Sequence, residues 1–481
     1  MRELKVYVGA DLVGSLTEED NLWSLQYDPA WAARDDSFDL SPALPRATLR
    51  HVDGATRRPV QWYFDNLLPE EDLRRIVARD AGIRDHEDAF ALLEYLGAES
   101  AGSLTLLPPG TSVPRDAALK PLSHAELSQR IRNLPRAALT RDAPKRMSVA
   151  GAQHKLLVVR KGDDLYEPVG ATPSTHILKP DHPDAQTYPA STFLEHLTMR
   201  LADAAGLPVP AVGLLQVPEA VYTIERFDRI IEGPSLRPET ADTPPTVRRL
   251  HVIDACQLLD KSRLFKHSGA SVEALREAIE RAGDVLTLPQ RVFRWLVFNL
   301  LVANDDCHLK NLSFVVESHA ITLAPHYDLL ATGVYHTRAL AAGDGRWPEV
   351  EMAVRLSDTV RRFSQVTPEA VFAAAAVLGV PRPVALRVTR DVVTRVLRHF
   401  DRIYAVHFPG EAALSVADGP AHADDGAALV PATPVADPVD AGALVAGADE
   451  ATAQPQRGIE RRLLRVLRYV ILPEMRARLT T

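Results

Sequence analysis

Cysteine is scarce in this sequence: among 481 residues there are two, Cys256 and Cys307. Two cysteines supply no disulfide framework, a pattern typical of a protein from a reducing compartment. No run approaches the roughly 20 apolar residues of a membrane-spanning helix. The first residues, Met1–Val8, lack the apolar segment of a signal peptide. The sequence therefore predicts a cytoplasmic protein with no membrane association.

A surplus of basic residues is missing as well. The 55 Lys and Arg residues are outnumbered by 63 Asp and Glu residues, which gives a net charge of −8. Non-specific nucleic-acid binding needs a surface excess of positive charge, so we do not expect the chain to bind nucleic acid on its own in this way. The hydrophobic share of 46% is ordinary for a globular protein, and the length predicts two or three domains.

The order of strand-like and helix-like patterns predicts an α+β protein. Residues 1–110, which open with a hairpin over 4–16, are expected to form an N-terminal α+β subdomain. Residues 111–245 contain short apolar strands and one crossing helix, which predicts a β-rich lobe. Residues 246–410 are mainly helical in pattern and predict an all-α lobe. Single helices are expected over Trp62–Val77 and Val252–Leu259.

The C-terminal part divides into two segments of contrasting composition. Residues 412–456 contain no Lys, Arg or aromatic residue, which predicts a disordered or extended insert over 411–456. Residues 457–481 predict an amphipathic helix with several arginines outside its apolar face. Such a helix can bind a membrane surface or nucleic acid. We favour the alternative, a closing helix that docks on the helical lobe, because amphipathic helices usually face a core.

Three side chains match the needs of phosphoryl transfer. Asp306 precedes Asn311 by five residues, and Asp328 follows Asn311 by seventeen. In ATP-dependent transfer one carboxylate accepts the hydroxyl proton, while an amide oxygen and a second carboxylate hold Mg²⁺. The first spacing equals that of the protein-kinase catalytic loop. The usual preceding His-Arg is absent, however, and Tyr327-Asp328 stands where Asp-Phe-Gly would be.

Upstream segments supply candidates for the remaining parts of a kinase. Lys179 ends a strand and can reach ATP phosphates while pairing with Glu195, although a lysine there can also be merely solvated. The small-residue loop Met147–Lys155 can cradle phosphates with its backbone N–H groups, or be an ordinary hairpin turn. The segment Glu225–Arg229 is either a hinge beside adenine or a surface ion-pair cluster.

A metal-dependent hydrolase is an alternative for the same region. The ligand set would come from Asp305, Asp306, His308, Asn311, His326 and Asp328, since His and Asp bind transition metals well. This reading leaves Lys179 and the small-residue loop unexplained, and no spaced pair of His ligands is evident in the sequence. The alternative for His308 itself is a structural role, in which it orients the loop by hydrogen bonds rather than contacting a metal.

Taken in order, these segments resemble the HipA toxins, serine/threonine kinases of bacterial toxin–antitoxin modules. The resemblance is carried by Ser148–Lys155, His176–Pro180, Glu225–Arg229, Asp306–Asn311 and Leu323–Asp328, and it spans about residues 1–410. It implies a bilobal protein-kinase-like fold, with a β-rich N-lobe, an all-α C-lobe and an additional N-terminal α+β subdomain.

The resemblance also implies a role for each matching position. Asp306 would be the catalytic base, Asn311 and Asp328 would hold Mg²⁺, and Lys179 would contact the ATP phosphates. Ser148 matches the serine that family members autophosphorylate, which ejects the loop and switches the kinase off. The positions expected to contact nucleotide are Ala150, Gly151, Ala152, Gln153, His154, Lys155, Lys179, Glu225, Arg226, Phe227, His308, Asn311, Tyr327 and Asp328.

Partners follow from the same resemblance. Family kinases target translation, the best-known substrate class being an aminoacyl-tRNA synthetase. They are neutralised by a small helix-turn-helix antitoxin, HipB, that binds operator DNA, so contact with DNA is expected only through such a partner. A corepressor without kinase action and a small-molecule kinase remain alternatives. The sequence departs from the family at His154, where an acidic residue is common, and in the insert before the last helix.

Overall fold

The structure is a computed structural model that describes residues 1–148, 150–233, 243–341, 343–411 and 450–480, with side chains omitted for 450–456. The insert expected over 411–456 therefore lies outside the described residues, apart from Glu411 and the backbone of the helix that begins at Glu450.

The N-terminal part is a five-stranded sheet, in the order β4-β3-β2-β1-β5, packed against helices. Leu4 and Val6 alternate with polar residues and face the core, as a half-buried strand requires. The hairpin expected over 4–16 is confirmed by β1 and β2. The strands are β1 Arg2–Val8, β2 Asp11–Glu19, β3 Leu22–Tyr27, β4 Arg50–Val52 and β5 Leu104–Leu107, and the helices are α1 Pro29–Ala32, α2 Pro59–Asp65, α3 Glu71–Asp80 and α4 Ala89–Leu96.

The single helix expected over Trp62–Val77 is wrong, because the chain forms α2 and α3 with a break between them. Pro69 lies in that break, and a proline disfavours helical geometry at the residue before it. The break matters for the site, because Asn66 and Glu70 lie in it and both contact Lys310.

The second part is a six-stranded sheet in the order β10-β11-β9-β7-β8-β6 with one long helix against it. Neighbouring strands pair antiparallel throughout. The strands are β6 Ala117–Pro121, β7 Leu156–Lys161, β8 Asp164–Gly170, β9 His176–Pro180, β10 Val212–Gln216 and β11 Ala220–Glu225, and the helices are α5 His124–Arg132 and α6 Ser191–Ala204. A small ribbon of β12 Arg229–Ile231 and β13 Val247–Arg249 follows.

The third part is mainly helical and also holds a small three-stranded sheet, which the expectation of an all-α lobe did not include. Val252 and Ile253 are β-branched and pair with β15, while Asp254 caps the next helix, so the helix expected from Val252 starts three residues later. The elements are β14 Val252–Asp254, α7 Ala255–Leu258, α8 Val272–Ala282, α9 Leu288–Leu301, β15 Ser313–Val316, β16 Ile321–Leu323, α10 Pro368–Leu378 and α11 Arg382–His407.

Helix α9 is apolar on most sides, and Trp295 and Phe298 are fully buried. A helix that is hydrophobic all round belongs inside a core. It ends in a tight turn at Ala303, whose φ is +54°. The segment that follows, residues 304–311, is the catalytic loop of the sequence prediction, so a rigid element holds its start.

The last helix, which contains a π turn, packs on the third part. It consists of α12 Glu450–Val466, a π turn over Leu467–Ile471 and α13 Leu472–Thr480. Leu463, Leu467 and Met475 are buried in the main core. The Arg468 guanidinium lies 4.4 Å from the ring centroid of Tyr404 in α11. The apolar face of the helix is thus covered by protein.

Two tyrosines from different helices share Glu411 as their acceptor. Tyr404 of α11 and Tyr469 of the closing helix both donate to Oε2 of Glu411, at 2.7 and 2.9 Å. Among the described residues, no single helix has both the length and the apolar character to cross a bilayer. The pair α10 and α11 meets the criterion only when joined, and it is bent by 119°.

Candidate active site

A cleft of about 510 Å³ separates the six-stranded sheet from the helical part. That volume lies within the usual range for small-molecule sites. Its walls come from the small-residue loop, β9, the end of β11, the catalytic loop and the segment after β16. They include Ala150, Gly151, Ala152, Gln153, Lys155, Lys179, Glu225, Arg226, Phe227, His308, Asn311, Tyr327 and Asp328.

Lys179 ties the two sides of the cleft together. Its Nζ lies 2.7 Å from Glu195 Oε1 on α6 and 2.6 Å from Asp328 Oδ1. Burial alone would lower the pKa of Lys179, but Asp328 and Glu195 raise it, so the ammonium stays charged. Burial would likewise raise the pKa of Asp328, yet Lys179 and Lys155 hold it well below its ordinary value. Burial raises the pKa of Glu195 to about 7, against the effect of Lys179.

Side-chain hydrogen bonds hold the catalytic loop in shape. Asn304 donates through Nδ2 to Asn299 of α9 at 2.8 Å, and its Oδ1 accepts the Asp306 amide at 3.0 Å. Asn311 Nδ2 donates to the Asp306 carbonyl at 2.8 Å. The Asn311 Oδ1 then accepts no hydrogen bond from the described residues and is available as a metal ligand.

Asp306 has the properties of a group that exchanges protons near neutral pH. Its side chain is half exposed within the cleft, at 55%. Desolvation by the cleft walls, together with the negative charge of Asp328, raises its pKa to about 7. A carboxylate with a pKa near the working pH suits general-base catalysis.

The small-residue loop is anchored on the N-terminal part. The Ser148 hydroxyl is buried and donates to the Leu67 carbonyl at 2.5 Å, and the Ser148 amide donates to the Glu99 carbonyl at 2.7 Å. The Glu70 amide donates to the Gly151 carbonyl at 3.2 Å. Gly151 has a φ of +112°, a backbone conformation that favours glycine because other residues carry a Cβ.

Lys155 is a cation of the cleft without a close carboxylate. Its Nζ donates to the Ala150 carbonyl at 2.7 Å, and no carboxylate of the described residues lies within ion-pair distance. Burial and the neighbouring Lys179 lower its pKa to about 8. An anion entering the cleft would supply the missing charge.

The segment after β11 contributes an aromatic ring to the cleft wall and an arginine to buried ion pairs. Phe227 stacks on Tyr327 with ring centroids 5.4 Å apart, and both rings border the cleft. The Arg226 guanidinium pairs with Asp228 at 2.7 Å and with Glu99 at 3.3 Å. These ion pairs are buried rather than on the surface, and the hinge beside adenine stays a prediction.

One predicted nucleotide contact does not fit its expected position. His154 is buried and does not border the cleft, and burial lowers its pKa to about 4. Of the residues in the hydrolase alternative, Asp306, His308, Asn311 and Asp328 border the cleft together, whereas two others contact different partners. Asp305 pairs with His336 at 2.7 Å, and His326 stacks on Trp295 with ring centroids 6.3 Å apart.

Sequence reasoning missed several contacts of the site because their partners are far apart in the chain. Lys310 of the catalytic loop donates to Asn66 and to Asp254, and lies 3.4 Å from Glu70. Lys266 pairs with Glu70 at 2.6 Å. His267 contacts His308 edge-to-face, with ring centroids 4.7 Å apart. No local pattern in the sequence reports these contacts.

Comparison with known proteins agrees with this architecture. The model described as HipA-like C-terminal domain matches residues 147–400, and the model described as HipA N-terminal domain matches residues 4–107. A putative kinase, Y4mE, of Sinorhizobium fredii is 32% identical over 347 residues, which cover 70% of this chain and 78% of that protein. The serine/threonine-protein kinase toxin HipA of Shewanella oneidensis is 28% identical over 351 residues, which cover 69% of this chain and 76% of that protein.

A solved structure shows the same fold. The chain matches the Shewanella oneidensis toxin–antitoxin complex of HipA, HipB and operator DNA with a TM-score of 0.69 and 23% identity, over 98% of this chain and 99% of that one. The fold expected from the resemblance is confirmed, while the boundaries at 110, 245, 410 and 456 stay predictions. With a family model that matches more than half of its length, the chain belongs to the HipA family of kinases.

Proposed function

We propose that this kinase transfers the γ-phosphoryl group of ATP, with Mg²⁺, to serine or threonine hydroxyls of proteins. The observation that carries the proposal is Lys179, which pairs with both Glu195 and Asp328 beside the catalytic loop. A strand lysine paired with a helix glutamate, next to a metal-binding aspartate, is the arrangement that orients ATP phosphates in protein kinases.

The cleft offers complementary groups for each part of ATP. Lys155 and Lys179 present positive charge to the phosphates, and the turn at Gly151 lets the backbone approach them. Phe227 and Tyr327 offer aromatic surface to adenine. The Phe227 amide donates to no group of the described residues, so it is available to an acceptor on the base.

Asn311 and Asp328 fit Mg²⁺ by the chemistry of their donor atoms. Mg²⁺ prefers oxygen ligands and is usually held by one or two protein groups together with substrate phosphates. The Asn311 Oδ1 and the Asp328 Oδ2 accept no hydrogen bond from the described residues. When bound, the ion would neutralise charge that develops on the transferring group.

Asp306 would act as the base. Its carboxylate accepts the proton of the substrate hydroxyl as the hydroxyl oxygen bonds to the γ-phosphorus. The bond between that phosphorus and the β–γ bridging oxygen breaks, and ADP leaves. The raised pKa of Asp306 lets the carboxylate hold this proton near neutral pH.

Ser148 would be the autophosphorylation site. Its hydroxyl is buried against the Leu67 carbonyl, so it must leave this position to be phosphorylated. A phosphate adds about −1.5 to −2 charge, which the buried position beside the Leu67 and Glu99 carbonyls would not tolerate. The modified loop would then stay out of the cleft and switch the kinase off.

The cellular role is inferred from the relatives of this chain. We infer that the chain is a toxin that phosphorylates a component of translation, such as an aminoacyl-tRNA synthetase. A HipB-like helix-turn-helix antitoxin would neutralise it and bring it to operator DNA. The net charge of −8 agrees with DNA contact through a partner rather than by this chain alone.

The test is incubation of the purified chain with γ-labelled ATP and Mg²⁺. The wild type is expected to label itself at Ser148, and Asp306→Gln is expected to abolish the label. Asp305→Asn is the matched control, because its amide keeps the contact with His336 beside the loop. An Asp306→Gln protein that labels itself like the wild type would refute the assigned mechanism.

A further inference from the structure

The catalytic loop carries a second group of potential metal ligands, distinct from Asn311 and Asp328. His267 Nε2 lies 3.9 Å and His308 Nε2 lies 3.8 Å from the same oxygen, Oδ1 of Asp306. One ligand atom from each of the three residues lies within 4.8 Å of the others. Neighbouring ligands of a tetrahedral zinc ion are about 3.4 Å apart, given metal–ligand bonds of about 2.0–2.1 Å. Small rotations would bring these three atoms to that spacing.

The group is not explained by hydrogen bonding within the protein. His308 is nine-tenths buried, and its Nδ1 has no hydrogen-bond partner among the described residues. Its Nε2 is too far from Asp306 for a hydrogen bond. The Nε2, which is the ring nitrogen nearest to Asp306, thus has no hydrogen bond from the described residues and is available to a ligand.

Backbone contacts fix the two histidines beside each other. The Leu309 amide donates to the Lys266 carbonyl at 3.2 Å, which joins the segment carrying His267 to the loop carrying His308. The His308 amide donates to the Asp306 carbonyl at 2.8 Å. His267 is half exposed, so solvent reaches the group from one side.

We propose that His267, Asp306 and His308 bind a zinc-class transition-metal ion, and that this ion inhibits the kinase by occupying the carboxylate of its base. Two imidazoles and one carboxylate suit Zn²⁺. Mg²⁺ prefers oxygen ligands, so the Mg²⁺ needed for phosphoryl transfer would not compete well for this group. The binding part stands on geometry alone, whereas the inhibition part rests on the proposed role of Asp306.

The test measures binding and activity separately on the full chain. Zn²⁺ is titrated against a chromophoric chelator in excess Mg²⁺, with wild type, His267→Phe and His319→Phe. Phenylalanine keeps an aromatic ring at position 267 but removes both ligand atoms, and the exposed His319 in the turn between β15 and β16 is the matched control. We expect one zinc ion per wild-type chain and at least about a tenfold weaker affinity in His267→Phe, with His319→Phe unchanged.

Zinc X-ray absorption of the loaded wild type should report imidazole and carboxylate ligands. In the kinase assay, each protein is compared with its own zinc-free rate: one equivalent of Zn²⁺ should suppress labelling by wild type and His319→Phe, whereas the rate of His267→Phe, whatever its zinc-free value, should not fall. Equal affinity of wild type and His267→Phe would overturn the site. Tight binding without inhibition would overturn the masking of Asp306. Should no protein label itself at all, the proposed function fails, and the chelator titration still decides the metal site.

Discussion

Lys310 of the catalytic loop donates to both oxygens of Asn66, the backbone carbonyl at 2.8 Å and the side-chain Oδ1 at 2.9 Å. The two residues are 244 positions apart, and Asn66 belongs to the N-terminal part of the chain. Glu70 of the same segment also accepts from Lys266 and donates its amide to Gly151. The N-terminal part thus contacts the catalytic loop and the small-residue loop at once, so it is part of the active-site framework.

Asn66→Ala should weaken that framework. It removes one acceptor from buried Lys310 and the donor to the Trp62 and Lys261 carbonyls. We expect a loss of about 1–3 kcal/mol in the free energy of unfolding, as for unsatisfied buried groups. The phosphorylation rate should fall about tenfold to a hundredfold as the loop shifts. Urea denaturation and initial rates measure both, with the exposed Asn133→Ala as control. Unchanged rates would show that the loop does not depend on Asn66.

Lys179→Met should destabilise the protein as well as inactivate it. The change leaves the buried Glu195 and the partly exposed Asp328 without their shared cation, and removing one partner of a buried ion pair typically costs about 3–5 kcal/mol. Adding Glu195→Gln removes one of these charges and should restore part of the stability but none of the activity. Denaturation of the single and double variants measures this. A double variant no more stable than Lys179→Met would contradict the pairing.

The reaction should depend on pH through Asp306. Its pKa is raised to about 7, and a base works in its deprotonated form. We therefore expect kcat/KM to fall about tenfold per pH unit below 7 and to level off above it. The pKa of Glu195 is also raised to about 7, so the profile of Glu195→Gln is the control. A profile that loses its inflection in Glu195→Gln would assign the titration to Glu195 rather than Asp306.

Ser148→Asp should displace the small-residue loop without phosphorylation. A carboxylate would replace a buried hydroxyl that donates to the Leu67 carbonyl, and it has no donor to pair with there. We expect faster trypsin cleavage at Lys145 and Arg146, and ATP affinity lower by about tenfold or more. Ser148→Ala should bind ATP normally, because it adds no charge. Equal cleavage of the two variants would mean that the loop tolerates the charge.

The sequence predicted those parts of the site that depend on local spacing. Asp306 and Asn311 share one loop, and Lys179 ends a strand next to the helix of Glu195, so chain order alone brought them together. The contacts of Lys310 with Asn66 and of His308 with His267 depend on tertiary packing, and no periodicity reports them. The helix expected from Val252 failed for a similar reason, because pairing with β15 overrode the local pattern.

His154 shows the limit of transferring a motif position by position. It belongs to the small-residue loop in sequence, yet its side chain turns into the interior between Gln153 and Lys155, which both border the cleft. The place of a residue in a motif predicts only where its backbone lies. The direction of each side chain is decided by the space around it.

The paired hydroxyls on Glu411 make one carboxylate a link between two helices. Tyr404 of α11 and Tyr469 of the closing helix both donate to its Oε2. A single side chain outside both helices therefore joins them, and its loss would remove the acceptor of both hydroxyls at once.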